Sequence, residues 1–289
     1  MSPEQYTEYI TRRLMQDSNG IWSFPGRGNL SVSYPEEANM RCFMIEDNSF
    51  WFEHRNRVIS QAVSRFPPKG LIFDVGGGNG FVSVCLQNDG YECILVEPGY
   101  NGCLNARNRG LKAILCATFE DLQLEDNSVD AVGLFDVLEH IEFPILFLKN
   151  ICTTLKKGKN MGRLYITVPA HMWLWSNYDS SSGHFMRYNI YSLKSIIKKS
   201  GFKIEYSTYF FSFLSGPIFL SRTIPYLFGL KRKLEKSTPV KTRIAQRQHE
   251  KRKGVKSWLM NFCFERELRR ITYGRVSHGA SIMAVCSPL

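Results

Sequence analysis

The chain has 289 residues, 44% hydrophobic and 22% charged, with a formal net charge of +11. These proportions exclude a disordered or fibrous protein and leave room for one large α/β domain with insertions or two small ones. The charge is uneven: much of it lies between Lys231-Arg232-Lys233 and Lys256, and the rest of the chain is nearly balanced.

From the N-terminus, residues 1–66 are rich in aromatic and mixed-charge residues. The spacing of Phe52, Val58, Ile59, Ala62 and Val63 predicts a helix there, so the segment reads as an N-terminal helical cap. Phe66-Pro67-Pro68-Lys69-Gly70 breaks it. Short apolar, β-branched runs at 71–75, 93–96, 113–116, 131–135 and 164–168 then alternate with helical patterns through a core over 67–210. That alternation predicts βαβ units and a parallel sheet covered on both faces. Residues 144–155 and 192–200 read as helices, the second closed by Gly201, and 203–209 as a further strand. An insertion over 211–276 precedes a last strand at 281–286, within a final core segment 277–289.

The insertion begins with an apolar stretch, which Gly216-Pro217, Arg222 and Pro225 interrupt short of the roughly 20 clean residues of a membrane span. Two readings stand: a lid over a site, or an interfacial segment whose basic neighbour makes peripheral contact with anionic membrane. Cys42, Cys85, Cys93, Cys103, Cys116, Cys152, Cys263 and Cys286 are scattered without a C-x-x-C pair, and the first residues lack a signal-peptide apolar region. Reduced thiols and a cytoplasmic location are expected.

Chemistry concentrates at Phe73-Asp74-Val75-Gly76-Gly77-Gly78-Asn79-Gly80, a strand end followed by bare backbone. A dinucleotide G-x-G-x-x-G fails, because the third glycine would fall on Phe81 or Ser83, and no Gly-Lys-Ser/Thr follows for a P-loop. What remains is D-x-G-x-G-x-G, with Asp74, Gly76, Gly78 and Gly80, and an acid, Glu97, ending the second strand in CILVEPG. These residues, with the run from Thr118-Phe119 to Phe135-Asp136, resemble the class I (Rossmann-like) S-adenosylmethionine (SAM)-dependent methyltransferases, of the small-molecule and quinone-type group.

The resemblance implies a three-layer α/β sandwich, Rossmann-like, with a seven-stranded, mostly parallel sheet and an antiparallel last strand. It implies SAM as cofactor, with the glycine loop along its methionine and ribose part and Glu97 on the ribose hydroxyls. Thr118 stands where the family usually has an acid, Phe119 would flank the adenine, and Phe135-Asp136 would end the fourth strand beside the methyl.

Asp136, Glu139 and His140 fall at i, i+3 and i+4, one face of a helix. They read as a helix-capping and cofactor-lining set; a metal set competes, but no fourth ligand is evident and no metal is expected. Beyond the fifth strand, Gly183-His184-Phe185-Met186-Arg187-Tyr188 resembles the family's substrate-side segment. His184 and His171 are the candidate bases, and Arg187, Tyr188 and Trp175 the candidate substrate contacts, Arg187 alternatively pairing with Asp179.

The expected function is SAM-dependent methylation, on oxygen, of a small molecule, lipid or lipid-linked saccharide. A nucleic-acid acceptor using the basic block is the alternative. Against it, the chain has neither an Asn/Asp-Pro-Pro-aromatic motif nor a Pro-Cys nucleophile. A scaffold that keeps the fold without turnover is the other.

Overall fold

The computed structural model describes residues 13–25, 36–229 and 255–289. Most of the basic block, 230–254, lies outside the described residues.

A hairpin of β1 (Met15–Gln16) and β2 (Trp22–Ser23) leads to helices α1 (Glu36–Glu46) and α2 (Phe50–Arg65). The core then runs β3 (Ile72–Val75), α3 (Phe81–Asn88), β4 (Cys93–Val96), α4 (Tyr100–Asn108), β5 (Ile114–Cys116) and β6 (Ala131–Phe135). It continues through α5 (Pro144–Thr154), β7 (Arg163–Pro169), α6 (Asn177–Ser181), α7 (Ile190–Lys199) and β8 (Phe202–Phe210). After two short helical pieces, α8 (Ser215–Ile218) and α9 (Ile224–Leu227), joined by a π turn at Phe219–Thr223, come α10 (Val255–Tyr273) and β9 (Ser281–Pro288).

The strands form one sheet in the order β1-β2-β5-β4-β3-β6-β7-β9-β8. All seven expected strands are present, and β9 is antiparallel to both neighbours, Tyr165 facing Val285 and Thr208 facing Met283. The sheet has nine strands because the hairpin adds two at the β5 edge, Trp22 pairing with Leu115. The segment before residue 67 thus contributes strand as well as helix.

Burial explains the apolar runs. Every residue of β3, β4 and β6 is buried, as parallel strands covered on both faces must be. The helix expected at 192 starts at Ile190, because the Asn189 side chain accepts from the Ser192 amide (2.8 Å) while Ser192 Oγ accepts from the Asn189 amide (3.0 Å). That reciprocal cap contributes about 1 kcal/mol and fixes the helix start.

The insertion is anchored at its base. Glu267 of α10 accepts from the amides of Phe211 (2.8 Å) and Ser212 (2.7 Å), from Ser212 Oγ (2.6 Å), and pairs with His54 Nε2 of α2 (2.7 Å). One buried carboxylate thereby ties the end of β8 to two helices.

Candidate active site

At the carboxyl ends of β3, β4 and β6 the chain encloses a cavity of about 1290 Å³, the expected place for a ligand in an open α/β sheet. Its walls bring together Asp74, Gly76, Gly78, Glu97, Thr118 and Phe119 at one end. Phe135, Asp136, Glu139, His140, His184 and Arg187 lie at the other.

The glycine loop is built by steric necessity. Gly76 and Gly78 have φ of 67° and 55°, the left-handed region open to glycine at no steric cost. Gly77, which the motif does not require, is obligatory for packing: a Cβ there would overlap Leu95 Cδ1 and lie 2.7 Å from Asp74 Oδ2. Gly80 is not on the cavity wall. It begins α3, and its Cβ would come within 2.8 Å of Ala106 Cβ, so glycine lets the start of α3 pack against α4.

Glu97 joins the two loops that flank the cavity: Oε2 accepts from the Gly78 amide (2.9 Å) and Oε1 from the Gly99 amide (2.8 Å). Burial pushes its carboxyl up to about 7, against those two amide bonds. Each oxygen keeps a further acceptor lone pair. Asp74, pushed up to about 6 by burial, accepts from Ser83 Oγ (2.6 Å) and keeps Oδ1 buried without a partner. A bare-backbone cradle, a doubly bridged acid and an orphaned acceptor on one wall fit a polar, hydroxyl-bearing cofactor. Thr118 spends its polar atoms locally: its amide donates to Asp121 Oδ2 (2.9 Å) and its hydroxyl accepts from the Asp121 amide (3.4 Å).

Asp136 does not cap a helix. The chain leaves β6 through Asp136 at φ 60°, a conformation that aspartate tolerates better than most residues. Residues Leu138–His140 then form a single 3-10 turn. The Asp136 carboxylate accepts from Arg55 Nη1 (2.7 Å) and Thr167 Oγ1 (3.0 Å). The expected face of Asp136, Glu139 and His140 therefore does not form. In its place Glu139, His140 and His184 present ligand atoms all within 4.8 Å of one another. Burial raises Glu139 well above the usual carboxylate range, and burial with the neighbouring His184 pushes His140 down to about 4.

His184 is held from behind. Its Nδ1 bonds Asp179 Oδ1 (2.9 Å), and Asp179 is gripped by Arg187 through Nε (2.7 Å) and Nη2 (3.1 Å). Opposing these bonds is the cost of burying Asp179; its carboxyl is nonetheless held down at about 2. An Nδ1–H donated to a carboxylate leaves the lone pair on Nε2. Arg187 gives a third bond to the Ala170 carbonyl (3.2 Å), so it acts as the strut of Asp179.

Besides Gly80, three more expected site residues lie off the cavity wall. His171, at φ 63°, is stacked against Trp173 and Tyr209, with ring centroids 5.5 and 5.1 Å away. Tyr188 is fully buried and donates to the Leu138 carbonyl (3.1 Å), a core strut. Trp175 Nε1 donates to Ser180 Oγ (3.3 Å) within its own turn. The sequence reasoning missed Arg55 and Arg222, both on the wall. Arg55 was findable, since it sits three residues after Phe52 and four before Ile59, inside the apolar face of α2. Arg222 carried no such signal, because the π turn that aims it inward is set by tertiary packing.

A family model described as a methyltransferase domain matches residues 51–207. Among solved structures, the chain is similar to a SAM-dependent methyltransferase of Thermotoga maritima, described as a possible histamine N-methyltransferase. Identity is 19%, coverage 86% of this chain and 94% of that one, and the TM-score 0.51. It is also similar to Haemonchus contortus phosphoethanolamine N-methyltransferase 2, solved with phosphomonomethylethanolamine and S-adenosylhomocysteine. There the identity is 19%, coverage 88% and 57%, and the TM-score 0.51. The same enzyme with SAM gives 19%, 89% and 58%, and 0.52. These likenesses show the fold. No curated protein matches the sequence.

Proposed function

The chain belongs to the methyltransferase-domain family, class I and SAM-dependent, and from that premise we propose that it methylates a hydroxyl oxygen of a lipid-like acceptor. SAM, when bound, supplies a methyl group activated by its sulfonium. Asp74, Gly76, Gly78 and Glu97 would hold its polar part, Phe119 an apolar face of the same end, and Phe135 would flank it from the other end.

The observation that carries the reading is that Asp179-held His184 stands in the same cavity as the glycine loop and Glu97. Its Nε2 lone pair would take the proton of an acceptor O–H, a role that contributes a factor of roughly 10² to 10⁴. Asp179 and Arg187 are positioning residues, keeping the ring in one tautomer and one orientation. Trp51, Phe143, Leu146, Phe185 and Ile218 line the wall with apolar surface, which supports an acceptor with an apolar body.

The insertion supports a lipid surface as the acceptor's source. Leu220, Leu227 and Phe228, at i, i+7 and i+8, are exposed by 65%, 68% and 74%. Ile218 and Arg222 of the same segment face the cavity. Residues 231–256 come immediately after in sequence and carry eleven basic residues against two acids, Glu235 and Glu250. That charge suits anionic headgroups. No helix among the described residues is long and apolar enough to cross a membrane, so the contact proposed is peripheral.

The test is incubation with methyl-labelled SAM and lysate fractions, followed by extraction with organic solvent. Label in the organic phase is expected. Label in RNA, or SAM binding with no acceptor labelled in any fraction, would overturn the reading.

A further inference from the structure

The insertion sends one cation to the cavity wall. Its π turn, Phe219–Thr223, packs Phe219 against Trp173, ring centroids 5.6 Å apart, and buries Thr223. Ile218 and Arg222, four residues apart, both meet the cavity, while Leu220 between them is exposed. A π turn within a helical run is rare and frequently marks a functional position.

The arginines of the wall are used differently. Arg55 grips Asp136 (2.7 Å) and Arg187 grips Asp179 (2.7 Å), each as a strut. Arg222 instead sets its guanidinium carbon over the face of Tyr178, 5.4 Å from the ring centroid. Stacking engages the face of a guanidinium and not its N–H edge, whose fork matches a carboxylate or a phosphate. Burial works against the Arg222 charge, and the neighbouring Arg187 acts in the same sense; Asp179 offsets part of this but is already held by Arg187 and His184. A guanidinium cannot escape that cost by losing its proton, so an anion in the cavity is the ligand that answers it. The same Tyr178 ring meets His184 edge to face at 6.4 Å. One aromatic ring is thus flanked by the candidate base and by the guanidinium, and an anion on Arg222 would lie only a few bonds from a hydroxyl on His184.

We infer that Arg222 is a specificity-determining residue, recognising an oxyanion, phosphate or carboxylate, on the polar head of the acceptor. This role rests on the cavity being the methyl-transfer site and deepens that reading. The acceptor is then an amphiphile whose head carries both the hydroxyl to be methylated and an acidic group, with its apolar body against Trp51, Phe143 and Leu146.

The test uses full-length protein saturated with S-adenosylhomocysteine, titrated by calorimetry with decyl phosphate, decanoate, uncharged decyl glucoside and inorganic phosphate. Decyl phosphate and decanoate should bind, and decyl glucoside far more weakly. Arg222→Gln should weaken decyl phosphate by about tenfold or more, the loss expected when a hydrogen-bonded charge is removed. Arg222→Lys should recover part of that loss, and Arg269→Gln, which removes an exposed charge from α10, should change nothing. Inorganic phosphate matching decyl phosphate would identify a soluble phosphorylated acceptor, and a preference for decyl phosphate a lipid headgroup; both keep the oxyanion at Arg222. Unchanged affinity in Arg222→Gln, with circular dichroism and SAM binding intact, overturns the role, as does equal binding of decyl glucoside. If Arg222→Gln does not fold, Arg222→Lys carries the test, since losing the two-pronged contact should weaken decanoate and an unchanged value overturns the role. Binding that depends on Arg222 without label in any lysate fraction would leave the subsite standing and overturn the methyl transfer; label in an uncharged lipid, with Arg222→Gln as active as wild type, would do the reverse.

Discussion

Glu97 and Gly78, nineteen residues apart, are joined across the cavity floor by a 2.9 Å bond from the Gly78 amide to Glu97 Oε2. The acid that ends one strand thus shapes the loop that ends its neighbour. Glu97→Ala should lower SAM affinity at least tenfold, about 1.4 kcal/mol, by removing a hydroxyl acceptor and unpinning both loops. Calorimetry measures it, and unchanged affinity removes Glu97 from the cofactor site.

The same carboxyl predicts a pH dependence. Burial raises Glu97 to about 7, so in the empty site it gains a proton as pH falls through 7. The ionised form is the better hydroxyl acceptor, hence SAM affinity should fall below pH 7, approaching tenfold per unit, and Glu97→Gln should flatten the profile. For folding the sign is opposite. A folded value above the ordinary 4.5 means the native state holds the proton more tightly, so this group's stabilisation is full below 4.5 and is lost as pH rises through 7. Asp74, raised to about 6, acts in the same direction.

Gly77→Ala should destabilise the fold by about 1–3 kcal/mol, the usual cost of overpacking, because its Cβ would press on buried Leu95 and on Asp74. Gly90→Ala is the comparison: its φ of 89° strains any side chain, yet nothing lies within 4 Å. Thermal unfolding should place Gly77→Ala below it, with a larger loss of SAM affinity; equal effects on both would mean that the close contact at Gly77 costs no more than the left-handed backbone at Gly90.

Removing Arg187 should cost stability before it costs chemistry. Arg187→Met strands Asp179, which is wholly buried, and breaking a buried pair from one side costs about 3–5 kcal/mol. His184→Gln should leave stability and SAM affinity nearly intact while methyl transfer falls at least a hundredfold. Denaturant unfolding beside labelled-SAM turnover separates the two. A His184→Gln enzyme at wild-type rate would exclude His184 from the chemistry.

Vesicles of anionic phospholipid should sediment the protein at low salt, and less of it as salt is raised, as expected when basic residues meet anionic headgroups. Phe228→Glu should weaken that binding further without changing SAM affinity. Equal binding to zwitterionic and anionic vesicles would contradict the charge-led contact.

The core and the glycine-loop end of the cavity were legible because they rest on local rules. Continuous apolar runs such as 93–96, alternating with helical patterns, read as strands buried on both faces, and glycines at a strand end mark the turn that a ligand's approach demands. Glu97 was legible for the same reason: its place is fixed by the strand it terminates. The end of the cavity around Asp136 and His184 was legible only in composition. Asp136, Glu139 and His140 share a face in a helix, but the chain there makes a left-handed step and a 3-10 turn, so periodicity named residues of the cavity wall with the wrong partners. His184 and His171 were indistinguishable as symbols; packing put one ring on Asp179 inside the cavity and the other between two aromatic rings outside it.

What the sequence determined by itself was the sheet, its glycine loop and the family they belong to, since each comes from residues near one another in the chain. What only the tertiary structure decided was which distant side chains meet: Arg55 with Asp136, Glu267 with the base of the insertion, and His184 with Glu139 and His140. Those meetings depend on how strand ends and insertion pack around one cavity, a property of the closed fold that no local spacing encodes.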